Sequence, residues 1–408
     1  MNSEILRNYA RLIARVGVNI QPGQDVIISA ELDCPDFVEM LTEECYLCGA
    51  AQVRVEWSHR SLQLLHVKYQ SDERLGGMTD WEKQKLQHRA DTLPAMIYLE
   101  SADPDGLDGM DQEKWGRAMQ ARWKIIKPIR DLMENRYQWC IAAVPGKAWA
   151  AKMFPELPPD EAVEKLWQAI LTTSRADGDA VAAWREHNAD LKRRCDYLNS
   201  LGLRRLHYRS SNGTALSVGL IPQAMFLAGA EKALGSGVTF NPNIPSEEVF
   251  TSPMKGDAEG IVYSTRPLSY RGVLIEDFRI RFENGRAVEV HAEKNEDALK
   301  TLISMDEGAA MLGECALVPY DSPIRRSGLM FFNTLFDENA ACHLAFGDGF
   351  CNTIRDYDRL SLEECRAMGV NTSMLHEDFM IGAEDTDIDG ETADGRLVPI
   401  FRNGNWAF

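Results

Sequence analysis

No stretch of this 408-residue chain is apolar for long enough to span a bilayer. The opening segment, MNSEILRNYARLIARVGVNI, lacks the apolar core of a secretory signal. Motifs for several chemistries are also missing. No GxGxxG follows the first expected strand. VPGKAW (Val144 to Trp149) has a Gly-Lys but neither the upstream glycine nor the following Ser or Thr of a phosphate loop, and GDGFCN (Gly347 to Asn352) lacks a third glycine. GxSxG is absent, which removes the usual serine-hydrolase elbow. HExxH is absent as well, because Met380 stands where the second histidine of that zinc helix would be. A net charge of -18 without a dense basic patch argues against nucleic acid as a partner. Cysteine is present nine times, an odd and scattered set, and the CxxC of Cys45 and Cys48 has no second pair. That usage reads as a reduced, cytoplasmic protein, with Cys45 and Cys48 as ordinary members of one helix.

Hydrophobic residues make up 45% of the chain, enough for a proper core, and the length suggests two domains. The first half alternates helix and strand. A helix is expected from Asn2 to Val16, a short apolar strand over Asp25 to Ala30, a helix over Cys34 to Gly49 and a β-branched strand over Gln52 to Trp57. Helices follow to about Arg89, then a strand at Pro94 to Glu100. A long amphipathic stretch runs from Asp111 to Asn135, kinked or broken near Pro128, before a fourth strand at Gln138 to Val144. Strands separated by helices imply a doubly wound, Rossmann-like α/β domain with parallel pairing, here without a nucleotide site. Helices from about Asp160 to Leu198 form the join. Beyond it, Leu206 to Leu220 and Phe278 to Lys294 each read as strand, Asn-Gly turn, strand. The expected division is therefore residues 1-200 as the α/β domain and 201-408 as an α+β, β-rich domain with a mixed or antiparallel sheet.

The second half also carries the candidate chemistry. Four segments, NIPSEEVFTSP (Asn243 to Pro253), GECALVP (Gly313 to Pro319), FDENAACHLAFG (Phe336 to Gly347) and NTSMLHEDFMIG (Asn371 to Gly382), offer Glu247, Glu248, Glu314, Glu338, His343, His376 and Asp378. Carboxylate and imidazole in that ratio suit zinc, cobalt, manganese or magnesium. On an extended segment His376 and Asp378 point to one face, while Glu377 points away. Glu314 enters an apolar strand, and an unpaired acid there is costly to bury. Glu247 and Glu248 lie side by side on extended chain, so one of the two enters a site. His343, His376 and Asp378 alone would also make the ligand set of a mononuclear Fe(II) oxygenase. The additional acids favour a pair of divalent ions, whose charge needs several carboxylates.

These segments, with the N-terminal VGVNIQPGQDVIISA, resemble the aminopeptidase T and aminopeptidase S family of bacterial metallo-aminopeptidases, over nearly the whole chain. By position the resemblance places the family's metal-site acids on Glu248, Glu314 and Glu338, its histidines on His343 and His376, and its aspartate on Asp378. It implies two divalent metal ions, a homodimer, peptide substrates and release of their N-terminal residues. The mechanism expected on that basis is attack by a metal-activated water, and our own choice of base is Glu314, with Glu247 as the alternate. One position departs from the pattern: seven residues after His343 the family carries tyrosine, and here stands Phe350. That change raises the alternative of a catalytically weak metal-binding homologue. A ring-cleaving Fe(II) dioxygenase related to the family is the other alternative.

Overall fold

The apolar strands of the first half lie side by side in one parallel sheet. The computed structural model describes residues 2–101, 103–106, 109–270 and 272–408. The sheet runs Gln52–Ser58, Asp25–Glu31, Ala95–Glu100, Trp139–Ala143, and closes with a short fifth strand, Asn243–Ile244. The first half thus has the expected Rossmann-like α/β architecture. Val26, Ile27, Ile28 and Ala30 are all buried, as befits a strand covered on both faces. Tyr9, from the first helix, caps the sheet internally. Its hydroxyl donates to the Ala143 carbonyl at 3.1 Å and accepts from the Ala143 N–H at 3.2 Å. Its ring packs on Phe37 and Trp167.

Two helices differ in detail from their sequence reading. The first is regular over Ser3–Leu12, starts on the Asn2 side chain, and widens to a π turn over Ile13–Gly17. There Gly17 lies so close to the Trp139–Ala143 strand that a Cβ would sit 2.8 Å from the Cys140 sulfur. The long helix runs Gln112–Arg130 with Pro128 inside it and no break. Pro128 falls in the last turn, where little helix remains to be disturbed. The chain beyond turns, with Asn135 at φ +56°.

The chain divides into two compact units. One comprises Met1–Arg185 with Ala230–Ile244, the other Glu186–Gly229 with Pro245–Phe408. Within the second, nine antiparallel strands form one large sheet. Its hairpins include Leu203–Arg209 with Ala215–Leu220, and Val273–Glu283 with Arg286–Lys294. In the second hairpin Asn284 and Gly285 have φ of +49° and +74°, the doubly left-handed pair that matches strand twist.

A smaller antiparallel sheet of the second unit has the order Val249–Thr251, Leu312–Leu317, His343–Gly347, His376–Met380. Phe346 and Phe379 stack at 4.9 Å and meet Phe282 and Phe278 of the large sheet at 6.1 and 6.0 Å. Burying such rings contributes about 1.5–3 kcal/mol each. Those contacts hold one face of the small sheet in the core.

Candidate metal centre

The other face of the small sheet gathers the acids and histidines. Successive strand residues alternate sides, so Cys315, Leu317, Leu344, Phe346 and Phe379 take the core side. Glu314 and Asp378 both pair with Ala345, one on each side of it. His343 and His376 each lie two residues from that row and share its face. At its centre the small side chains Ala316 and Ala345 leave room. Gly347 ends its strand at φ +95°, and a Cβ there would lie 2.0 Å from the Leu375 carbonyl oxygen. Only glycine permits this approach, which brings the His376 strand in beside it.

Glu248 stands immediately before its strand, 3.1 Å from His343 Nε2. Glu314 lies 3.2 Å from His376 Nε2, and Asp378 Oδ1 lies 3.5 Å from the same nitrogen. Two groups of mutually close donors result: Glu248, Glu314 and His343, and Glu314, His376 and Asp378. Glu314 belongs to both. Glu338, on a 3-10 turn, stands in neither group but is near enough to Asp378 for the two carboxyls to raise and lower each other's proton affinity. Of the adjacent pair of glutamates, Glu248 faces the histidines. Glu247 is buried too, and its N–H donates to Asn339 Oδ1 at 2.6 Å.

Both imidazoles are oriented by backbone. His343 Nδ1 lies 3.1 Å from the Ala341 carbonyl and His376 Nδ1 lies 2.8 Å from the Asp348 carbonyl. A carbonyl can only accept, so each Nδ1 carries the proton and each Nε2 is turned to the carboxylates. Metal-ligating histidines are commonly held by such outer partners. The carbonyls of Ala341 and Asp348 had no sequence signal, since backbone groups carry none. Nor was Asn339 singled out as a partner of the acids.

Electrostatics mark the cluster as short of positive charge. Burial pushes the Glu314 carboxyl up to about 7, with the Glu248 and Asp378 charges adding to it against the His376 hydrogen bond. Burial, then the charges of Asp378, Glu248 and Glu314, drives Glu338 well above the ordinary carboxylate range. For His343 burial acts downward, but the Glu248 hydrogen bond and neighbouring charges raise it to about 9. Among the described residues no lysine or arginine pairs with Glu248, Glu314, Glu338 or Asp378. Asp378 Oδ1 is buried without a hydrogen-bond partner among them. Buried carboxylates that lack a cation are costly, and divalent ions fit this donor set in both charge and ligand type. Four carboxylates would balance two dications.

Fold and centre together define a metal-dependent hydrolase. Over residues 2–406 the sequence matches the family described as thermophilic metalloprotease (M29), and the chain belongs to that family. It is 42% identical over 408 residues to aminopeptidase AmpS of Bacillus subtilis (strain 168), covering 100% of this chain and 99% of that protein. It is 41% identical to aminopeptidase T of Thermus thermophilus over 403 residues, covering 98% of each chain. The solved structure of wild-type AmpT from Thermus thermophilus superposes with a TM-score of 0.91 at 39% identity, over 100% of both chains. A dihydroxypyridine dioxygenase from Pseudomonas putida KT2440 gives 14% identity and a TM-score of 0.49, a likeness that carries no argument about function.

Proposed function

We infer that this chain is a metal-dependent aminopeptidase that removes N-terminal residues from peptides. The observation that carries the reading is the pair of donor groups sharing Glu314, within a chain that belongs to the metalloprotease family throughout. We assign Glu248, Glu314 and His343 to one divalent ion and Glu314, His376 and Asp378 to a second, with Glu338 completing the set beside Asp378. Zinc, cobalt, manganese and magnesium all suit these donors. The three glutamates distinguish this set from a two-histidine, one-carboxylate iron site.

When bound, such ions supply Lewis acidity, polarising a carbonyl and lowering the pKa of water to near 7. The chain's own groups do the rest. Nε2 of each histidine is presented by its backbone-bound Nδ1, which fixes the ring. Glu314 turns Oε2 toward His376; as the base it would release one of its two ion contacts to take the proton of the attacking water and pass it to the leaving amine. An acid or a bound ion would hold the free α-amine of the substrate, which selects the chain end over internal bonds. Phe350 packs its ring 4.8 Å from the His376 imidazole and 5.5 Å from Phe250. It contributes an apolar wall and no hydroxyl donor to a developing oxyanion.

Among the described residues no helix is long and apolar enough to cross a membrane. All nine cysteines are free, which supports placement in a reducing cytoplasm. A homodimer follows from the family resemblance, and sedimentation velocity tests it. The decisive experiment is elemental analysis of chelator-stripped and reloaded protein, with hydrolysis of an aminoacyl chromogen followed on the same samples. Two redox-inert ions per chain, with activity lost on stripping and regained on reloading, is the expected result. One iron and no hydrolysis would overturn it.

A further inference from the structure

We propose that Asn339 is a positioning residue that sets the spacing of the Glu248 and Glu338 carboxylates and thereby the affinity of the centre for divalent ions. The inference rests on the two-metal reading above. Asn339 is completely buried. Its Oδ1 accepts from the Glu247 N–H at 2.6 Å, which pins the segment that presents Glu248. Its Nδ2 donates to the Leu335 carbonyl at 2.9 Å and to Glu338 Oε1 at 3.3 Å. One amide thus joins two carboxylate-bearing segments that are distant in sequence. Neither segment is stiffened by regular structure at the acid itself. Glu248 precedes its strand and Glu338 stands on a 3-10 turn.

The chemistry requires both ends of the amide. Asp would keep the acceptor for the Glu247 N–H, lose the donor, and set a negative charge against Glu338. Ala would lose both. A carboxylate ligand works only if its lone pairs point at the ion, and outer hydrogen bonds supply that aim. Such partners are typically worth about 10–100-fold in metal affinity.

The test measures zinc affinity by competition with a chromogenic chelator, on full-length stripped protein, for wild type, Asn339→Ala, Asn339→Asp, Glu338→Ala and the double variant Asn339→Ala/Glu338→Ala. Thermal melting of the stripped proteins runs alongside. Expected is an affinity loss of about 10-fold or more in Asn339→Ala, with kcat regained at high zinc and KM little changed. In the Glu338→Ala background the same substitution should cost less than in wild type, because only the route through the Glu247 N–H remains for it to act on. Should Asn339→Ala fail to fold, Asn339→Asp carries the test, since it retains the bond to Glu247, and a similar loss is expected. Wild-type affinity in the folded Asn339 variants, or losses that multiply fully in the double variant, overturns the proposal while leaving the metal reading intact. A wild-type protein that takes up no zinc overturns both.

Discussion

Each unit buries acid against arginine, Glu44 in the first and Asp337 and Asp389 in the second, but the acids of the donor cluster are treated differently. In the first, Glu44 is 1% exposed and meets Arg7 and Arg11 at 3.4 and 3.5 Å. The cations come from the chain, although Glu44 Oε2 makes no hydrogen bond among the described residues. In the donor cluster of the second, Glu314 is 4% exposed and Asp378 is 7% exposed, and among the described residues each is within ion-pair reach of imidazole alone. A structural acid brings its own counter-charge. An acid kept for metal chemistry is left short of one, and on the two-metal reading proposed above part of the second unit's stability depends on what it binds.

The sharpest break of that contrast is Glu314→Gln. We expect kcat on an aminoacyl chromogen to fall about 10²–10⁴-fold, with metal content reduced. Full activity with metal bound would remove Glu314 from the role of base. The stripped variant should melt no lower than stripped wild type, because a crowded charge has been removed. Next in size is the response to metal itself. At 100 times Kd, an ion should stabilise the folded chain by about 2.7 kcal/mol. Hydrogen exchange should show that protection at Leu312–Leu317, His343–Gly347 and His376–Met380 and none in the parallel sheet. Uniform protection of both units would blur the comparison.

Glu44→Gln addresses the first unit. Its arginines are about one-third exposed and can turn to water, so the cost should be about 1–2 kcal/mol in denaturant unfolding, smaller than the figure for a fully buried pair. Metal affinity should not change. The smallest effect concerns Glu82, whose carboxylate accepts from the Thr79 N–H and hydroxyl at 2.7 and 2.6 Å. Those bonds hold it down at about 2 against an ordinary 4.5. A depressed folded-state value means stability that is full above the unfolded value and is lost as pH falls through the folded one. Glu82→Gln should therefore cost about 0.5–1 kcal/mol at pH 6, and urea unfolding should show the difference shrinking toward pH 2.

The first unit was more legible in sequence than the second. DVIISA and AMIYLE are near-continuous apolar runs bounded by turn residues, the pattern of strands covered on both faces. The Asn284-Gly285 turn was equally plain, because few residues accept two left-handed positions. The small sheet was harder. Every residue of Leu312–Leu317 and His343–Gly347 is buried, so no exposed-buried alternation shows, and its acids break what would otherwise read as apolar strands. The individual acids and histidines were visible as residue types and through the family resemblance. Their pairing through Ala345, the carbonyls behind each histidine and the amide of Asn339 were not, since these depend on contacts between segments far apart in the chain. The short Asn243–Ile244 strand was hidden for a further reason: two residues have no periodicity.

That short strand has a consequence for biosynthesis. The parallel sheet of the first unit is finished only by residues 243–244, and residues 186–229, which belong to the other unit, are translated before them. A ribosome must therefore deliver an entire interposed segment before the earlier unit can close its last edge. At elongation rates of about 5–20 residues per second, that edge stays open for some seconds. The order of synthesis and the order of completion do not coincide, and no single cut in the polypeptide divides it into two self-sufficient halves.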